Sequence, residues 1–204
     1  IAAVIALSSC ATAPLETEKT PMSQEQASVT PVADSNPFYS QSTLPLFYPH
    51  FDKVKDADFA PAFDRGMADN TREIEAIANN TAAPTFENTI LEMEKSGQLL
   101  RRAAVVFGNL TSANTNDTLD KLDADYSPKF AAHNDSVYLN AKLFERIKSL
   151  YEQRNALGLD AQGVRLIERY YTDFVRSGSN LSETQKTRIK AINGEMATLT
   201  TKFS

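Results

Sequence analysis

The chain offers few residues around which chemistry could be organised. Its two histidines, His50 and His133, and its single cysteine, Cys10, are the strongest metal ligands and nucleophiles it carries. A zinc site of the H-E-x-x-H type needs two histidines at i and i+4 on one helix face, with a glutamate between them to activate water. Neither that string nor its reverse occurs. His50 ends a proline-rich stretch and His133 follows Ala131-Ala132 in a helical pattern, so both read as structural side chains. The seven glycines form none of the patterns G-x-S-x-G, G-x-x-x-x-G-K or G-x-G-x-x-G, which argues against a nucleophile elbow, a phosphate loop or a dinucleotide turn. The carboxylate pairs Asp117 with Asp120 and Glu92 with Glu94 fall on amphipathic patterns and read as solvated faces. From these residues no catalytic, cofactor-binding or metal-ligating position is assigned.

Cys10 is informative by its position. It follows the apolar run Ile1 to Leu7, which is too short to span a bilayer and has the character of the end of a signal-peptide core. Leu7-Ser8-Ser9-Cys10 resembles the lipobox of bacterial lipoproteins, which implies acylation of the Cys10 thiol and a membrane anchor of several acyl chains. The sequence is therefore expected to begin inside a signal peptide, with residues 1–10 as its lipobox-bearing end. Ala11 after the cysteine favours the outer membrane, with the protein facing the periplasm. The alternative is cleavage after Ala11-Thr12-Ala13, leaving a soluble periplasmic protein.

The elements that would position any site lie further along. Residues 11–36 are rich in Ser, Thr, Pro, Gln and Glu and lack aromatics, so they read as a disordered tether with a reach of about 25 to 30 Å. Over the whole chain, 42% hydrophobic and 23% charged residues fit ordinary globular protein. The net charge of -5, with no basic stripe, argues against nucleic acid as a partner. Asn36-Pro37-Phe38-Tyr39 and Leu44-Pro45-Leu46-Phe47-Tyr48-Pro49 predict an extended strap packed over a helical core.

From Asp56 onward the apolar spacing is helical and the fold class is all-α. Phe59, Phe63, Met67, Ile74 and Ile77 predict a first helix, capped by Asp56 or Asp58, with Pro61 confined to its first turn. Thr85 should cap a second, continuous from Glu87 to Leu110 and about 36 Å long. A third, through Leu119 to Val137, should kink at Pro128 or split there into two. Asn140 opens a fourth with Leu143, Ile147 and Leu150 inward, and Asp160 caps a fifth that ends at Ser177-Gly178-Ser179. In the sixth, Ser182 and Gln185 make a capping box, and Ile189, Ile192, Met196, Leu199 and Phe203 form a stripe that needs a partner surface. That stripe runs into Ser204 without a stop signal, which predicts a truncated helix.

Several strings in order resemble the thimet-oligopeptidase-like zinc metallopeptidases, in particular their peptidyl-dipeptidase (dipeptidyl carboxypeptidase) and oligopeptidase A branch. They are Asn36-Pro37-Phe38, Leu44-Pro45, Phe51-Asp52-Lys53-Val54-Lys55, Pro61-Ala62-Phe63, Ile77-Ala78-Asn79-Asn80 and Pro84-Thr85-Phe86-Glu87-Asn88-Thr89-Ile90. Asn109 to Asn116, Pro128-Lys129, Tyr138-Leu139-Asn140, Leu157-Gly158-Leu159 and Lys190-Ala191-Ile192-Asn193 follow. The resemblance implies that residues 37–204 are the N-terminal helical part of a two-lobed, channel-containing metallopeptidase. It implies short peptides as substrates, one zinc ion in the complete protein and a monomer. The family's zinc ligands lie far beyond this segment, so the zinc site is expected to be absent and the segment inactive alone. The rival reading is a non-catalytic helical envelope lipoprotein that binds a partner through its last helix.

Overall fold

The computed structural model describes residues 36–203. Cys10, its lipobox and the stretch 11–35 of the expected tether lie outside the described residues. Within them the body is all helical, with no strand.

Helix α1 (Asp56–Ala78) starts where the Asp58 carboxylate accepts the Lys55 backbone N–H at 2.8 Å, so Lys55 is the cap and Asp58 its reciprocal partner. Pro61 lies in the second turn, not the first. Its missing N–H costs the bond to the Ala57 carbonyl, and both residues are exposed, so water can replace the lost donor.

The expected second helix is broken. Thr85 does cap it: its hydroxyl accepts the Asn88 N–H at 3.1 Å, and the Asn88 side chain accepts the Thr85 N–H at 2.8 Å. A wide π-type turn, Phe86–Leu91, leads into α2 (Glu92–Lys95), and the chain turns at Ser96-Gly97 before α3 (Gln98–Ala113). Gly97 makes the break possible. Its φ is 69°, and an added Cβ would sit 3.1 Å from the Asn70 amide nitrogen. The Glu73 carboxylate accepts the Gly97 N–H at 2.7 Å and holds the turn against α1.

Helix α4 (Asp117–Tyr138) begins on Asn116, whose side-chain oxygen accepts the Thr118 and Leu119 N–H groups, and it runs unbroken through Pro128. The remaining caps follow expectation. Asn140 accepts from Leu143 to open α5 (Ala141–Gln153), and Asp160 accepts from Gly163 to open α6 (Ala161–Ser177). Ser182 and Gln185 exchange bonds at the head of α7 (Glu183–Phe203).

Two apolar cores result. One is aromatic: Phe59, Phe63, Phe107 and Tyr126, from α1, α3 and α4, meet with ring centroids 5.1 to 5.2 Å apart. Gly66 lets α3 approach α1 so closely that a Cβ there would lie 2.9 Å from the Leu100 backbone. The other is largely aliphatic and joins the C-terminal half of α1 with α5 and α6 through Ile74, Leu143, Ile147, Leu150, Ile167 and Phe174.

Helix α7 packs along α4, where Asn193 donates to the Asp135 carboxylate at 2.7 Å. Its apolar stripe points elsewhere: Ile192, Met196, Leu199 and Phe203 are exposed, Phe203 to 90%. The strap is only half covered, against expectation. Phe38 is buried 5.2 Å from the Phe59 ring, and Arg102 donates twice to its carbonyl, but Leu46, Phe47 and Tyr48 project into solvent.

Candidate functional site

The two histidines are held by different elements and do not converge. His133, on α4, is buried against α1 and donates from Nε2 to the Asn70 side-chain oxygen at 2.8 Å. Burial pushes its pKa below the ordinary histidine value and keeps the ring neutral. His50 lies on the strap, with Nδ1 3.8 Å from an Asp52 carboxylate oxygen.

The acidic pairs are each engaged locally. Glu92 pairs with Lys95 at 2.8 Å, while Glu94 accepts the Tyr170 hydroxyl at 2.8 Å and helps push that phenol's pKa upward, burial being the larger cause. Asp120 accepts the Thr115 hydroxyl, and Asp117 sits exposed in the first turn of α4. Among the described residues no three His, Cys, Asp or Glu side chains come together to hold a metal ion.

The most constrained polar side chain is one that sequence reading missed. Arg146, on the inward face of α5, is 7% exposed and has no carboxylate partner among the described residues. Its Nη1 donates to the Asn80 and Ala82 carbonyls at 2.7 and 3.0 Å. Its Nη2 donates to Asn88 Oδ1 and Thr89 Oγ1 at 2.8 and 3.1 Å. Spreading a buried charge over four neutral acceptors is what makes the burial tolerable. One guanidinium thus ties the end of α1 to the start of the π-type turn. The signal was present in the spacing, since Leu143, Arg146, Ile147 and Leu150 share one face.

A groove of about 300 Å³ opens between the strap and α3, lined by Pro37, Phe38, Phe47, Pro49, Val105 and Val106, with Arg101, Arg102 and His50 among its polar members. Arg102 is engaged with the Phe38 carbonyl, and burial lowers its pKa. The lining is apolar surface edged by a few polar side chains.

No protein-family model matches the chain. It is 44% identical over 169 residues to a dipeptidyl carboxypeptidase of Escherichia coli, an alignment covering 83% of this chain and 25% of that protein. It is 45% identical over 170 residues to a dipeptidyl carboxypeptidase of Salmonella typhimurium, again over 83% of this chain and 25% of the relative. The chain therefore spans about a quarter of the length of the curated relatives it matches.

Proposed function

We propose that this chain is the N-terminal helical part of a peptidase that releases C-terminal dipeptides from short peptides. The observation that carries this reading is the 44% to 45% identity to two dipeptidyl carboxypeptidases across 83% of the chain. The all-helical body with its two packed cores supports a scaffolding part in such an enzyme.

The described residues do not fit a zinc site, because His50 and His133 belong to separate elements and each is already engaged. In this proposal the zinc ligands and the water-activating carboxylate belong to the rest of the longer protein, and residues 37–204 shape the wall along which a short peptide reaches them. The part taken alone is inactive. The enzyme is a monomer, and acylation of Cys10 anchors it at the periplasmic face of the outer membrane. The tether keeps it clear of the lipid headgroups, and its substrates are envelope peptides.

The product of the complete reading frame, loaded with zinc and given a blocked pentapeptide, is expected to release dipeptides from the C-terminus, read by mass spectrometry. Chelation should stop the release, and a folded, zinc-loaded product that released none would refute the proposal. A second reading, a non-catalytic envelope lipoprotein, is favoured by the exposed stripe of α7, which a binding partner could cover. A reading frame without further coding sequence would support it.

A further inference from the structure

The large exposed hydrophobic residues of the described body fall into two groups, the α7 stripe and a patch made by Leu46, Phe47, Tyr48 and Phe51 of the strap with Val105 of α3. The second patch has two unusual properties. Leu46 is 98% exposed, and both Leu46 and Phe47 adopt left-handed backbone, with φ of 56° and 57°. Residues with a Cβ resist that region, and two in succession persist only when their surroundings enforce the turn.

Here the enforcement is visible. Phe47 N–H donates to the Leu44 carbonyl at 2.9 Å and Tyr48 N–H to the Pro45 carbonyl at 3.2 Å. The Ser42 hydroxyl donates to the Tyr48 carbonyl at 2.6 Å and accepts the Leu44 N–H at 3.2 Å. The turn is therefore built to hold an apolar side chain out in water, beside the apolar groove that Phe47 and Val105 share. A strained, hydrated apolar tip is a net cost to an isolated body, and it makes sense where another surface covers it.

We propose that this turn and groove dock the remainder of the parent polypeptide, the part that corresponds to the three quarters of the dipeptidyl carboxypeptidases left unmatched by this chain. The inference rests on the peptidase reading above. Two observations favour that occupant over a separate molecule. Phe47, Tyr48 and Phe51 are exposed to 63%, 62% and 39%. With such side chains each covering about 150 to 250 Å², and with Leu46 and Val105 added, the patch amounts to roughly 500 to 600 Å². That is short of the roughly 800 Å² per partner typical of stable association between separate proteins. A contact within one polypeptide needs less area, because connection has already removed most of the translational and rotational freedom that association would cost. The relatives also contain the additional chain that such a contact requires, since each is matched over only 25% of its length.

The test compares Leu46→Gly in two settings: the isolated 204-residue chain, and a chimera in which residues 36–203 replace the matching quarter of the Escherichia coli dipeptidyl carboxypeptidase. In the isolated chain the variant relaxes the left-handed turn and loses no contact, so its unfolding midpoint should stay level or rise. In the chimera it removes a buried side chain, so the midpoint should fall by several degrees. Hydrogen exchange at residues 44–51 should be at least tenfold slower in the unmodified chimera than in the isolated chain. Equal responses in the two settings, or equal exchange rates, would overturn the docking proposal, as would concentration-dependent dimerisation of the isolated chain that Leu46→Asp abolishes. Should the chimera not fold, binding of the 204-residue chain to the separately expressed remainder of the relative decides. Loss of that binding in Leu46→Asp supports the proposal, and no binding or undiminished binding overturns it. Dipeptide release by the chimera reports on the peptidase reading separately. An active chimera indifferent to Leu46→Gly sinks the docking alone, and a folded, inactive chimera with a protected turn sinks the peptidase reading alone.

Discussion

Helices α6 and α7 both carry apolar residues at helical spacing, sharply segregated to one face in α6 and weakly so in α7. Those of α6 are sealed into a core, while those of α7 face water. In α6, Ile167 and Phe174 are fully buried against α5 and the end of α1. In α7 the seam with α4 carries the Asn193–Asp135 bond instead, and Met196 and Leu199 stay exposed. Periodicity says which face of a helix is apolar; it does not say whether the partner for that face lies within the same folded body. The difference divides the described body into a part that buries its own apolar surface and a part that leaves it exposed.

The sharpest way to break this comparison is truncation on each stripe. Phe174→Ala should cost about 3 to 5 kcal/mol in denaturant unfolding, whereas Leu199→Ala should stay within about 0.5 kcal/mol. Equal losses would mean that α7 is as integral as α6. Next in size is Arg146→Ala, which strands two carbonyls and the Thr89 hydroxyl beneath α5 and should cost about 3 kcal/mol by the same assay. A near-neutral result would show that water reaches the site.

The platform beneath α7 can be probed by pH. Tyr126, on α4, is buried and donates its hydroxyl to Asp64 at 3.0 Å; burial first, then that bond and the acidic neighbours, push its pKa up to about 12. Its folded pKa exceeds its unfolded value of about 10. Its contribution is therefore complete below about pH 10 and lost as pH rises toward 12. Thermal scans across that window should show a loss that Tyr126→Phe lacks. The smallest effect belongs to the seam between α4 and α7: Asn193→Ala should cost about 1 kcal/mol and speed hydrogen exchange in α7 while leaving α6 unchanged.

Much of the fold was legible in the residues. Asn140, Asp160 and Ser182 sit where short polar side chains before apolar runs mark helix starts, and each accepts the bond its position demands. The failures have local causes. The break at Ser96-Gly97 was hidden because Phe86, Ile90, Met93 and Leu100 keep a helical spacing across it, and only the contact with Asn70 and Glu73 of α1 fixes the left-handed glycine. The strap was expected to lie flat, yet the bonds from Ser42 and Leu44 lift its tip away. The site was less legible. Arg146 shares a face with Leu143, Ile147 and Leu150, but its acceptors lie on the turn after α1 and on the π-type turn, which the spacing within α5 does not reveal. The proposed function rests on resemblance rather than on a residue pattern.

The most direct measurement of the central claim is dipeptide release by the chimera that carries residues 36–203 in place of the matching quarter of the Escherichia coli relative. Prompt release of C-terminal dipeptides from a short peptide, with none from the isolated 204-residue chain, is the predicted result. A folded chimera that left the peptide intact would contradict the account.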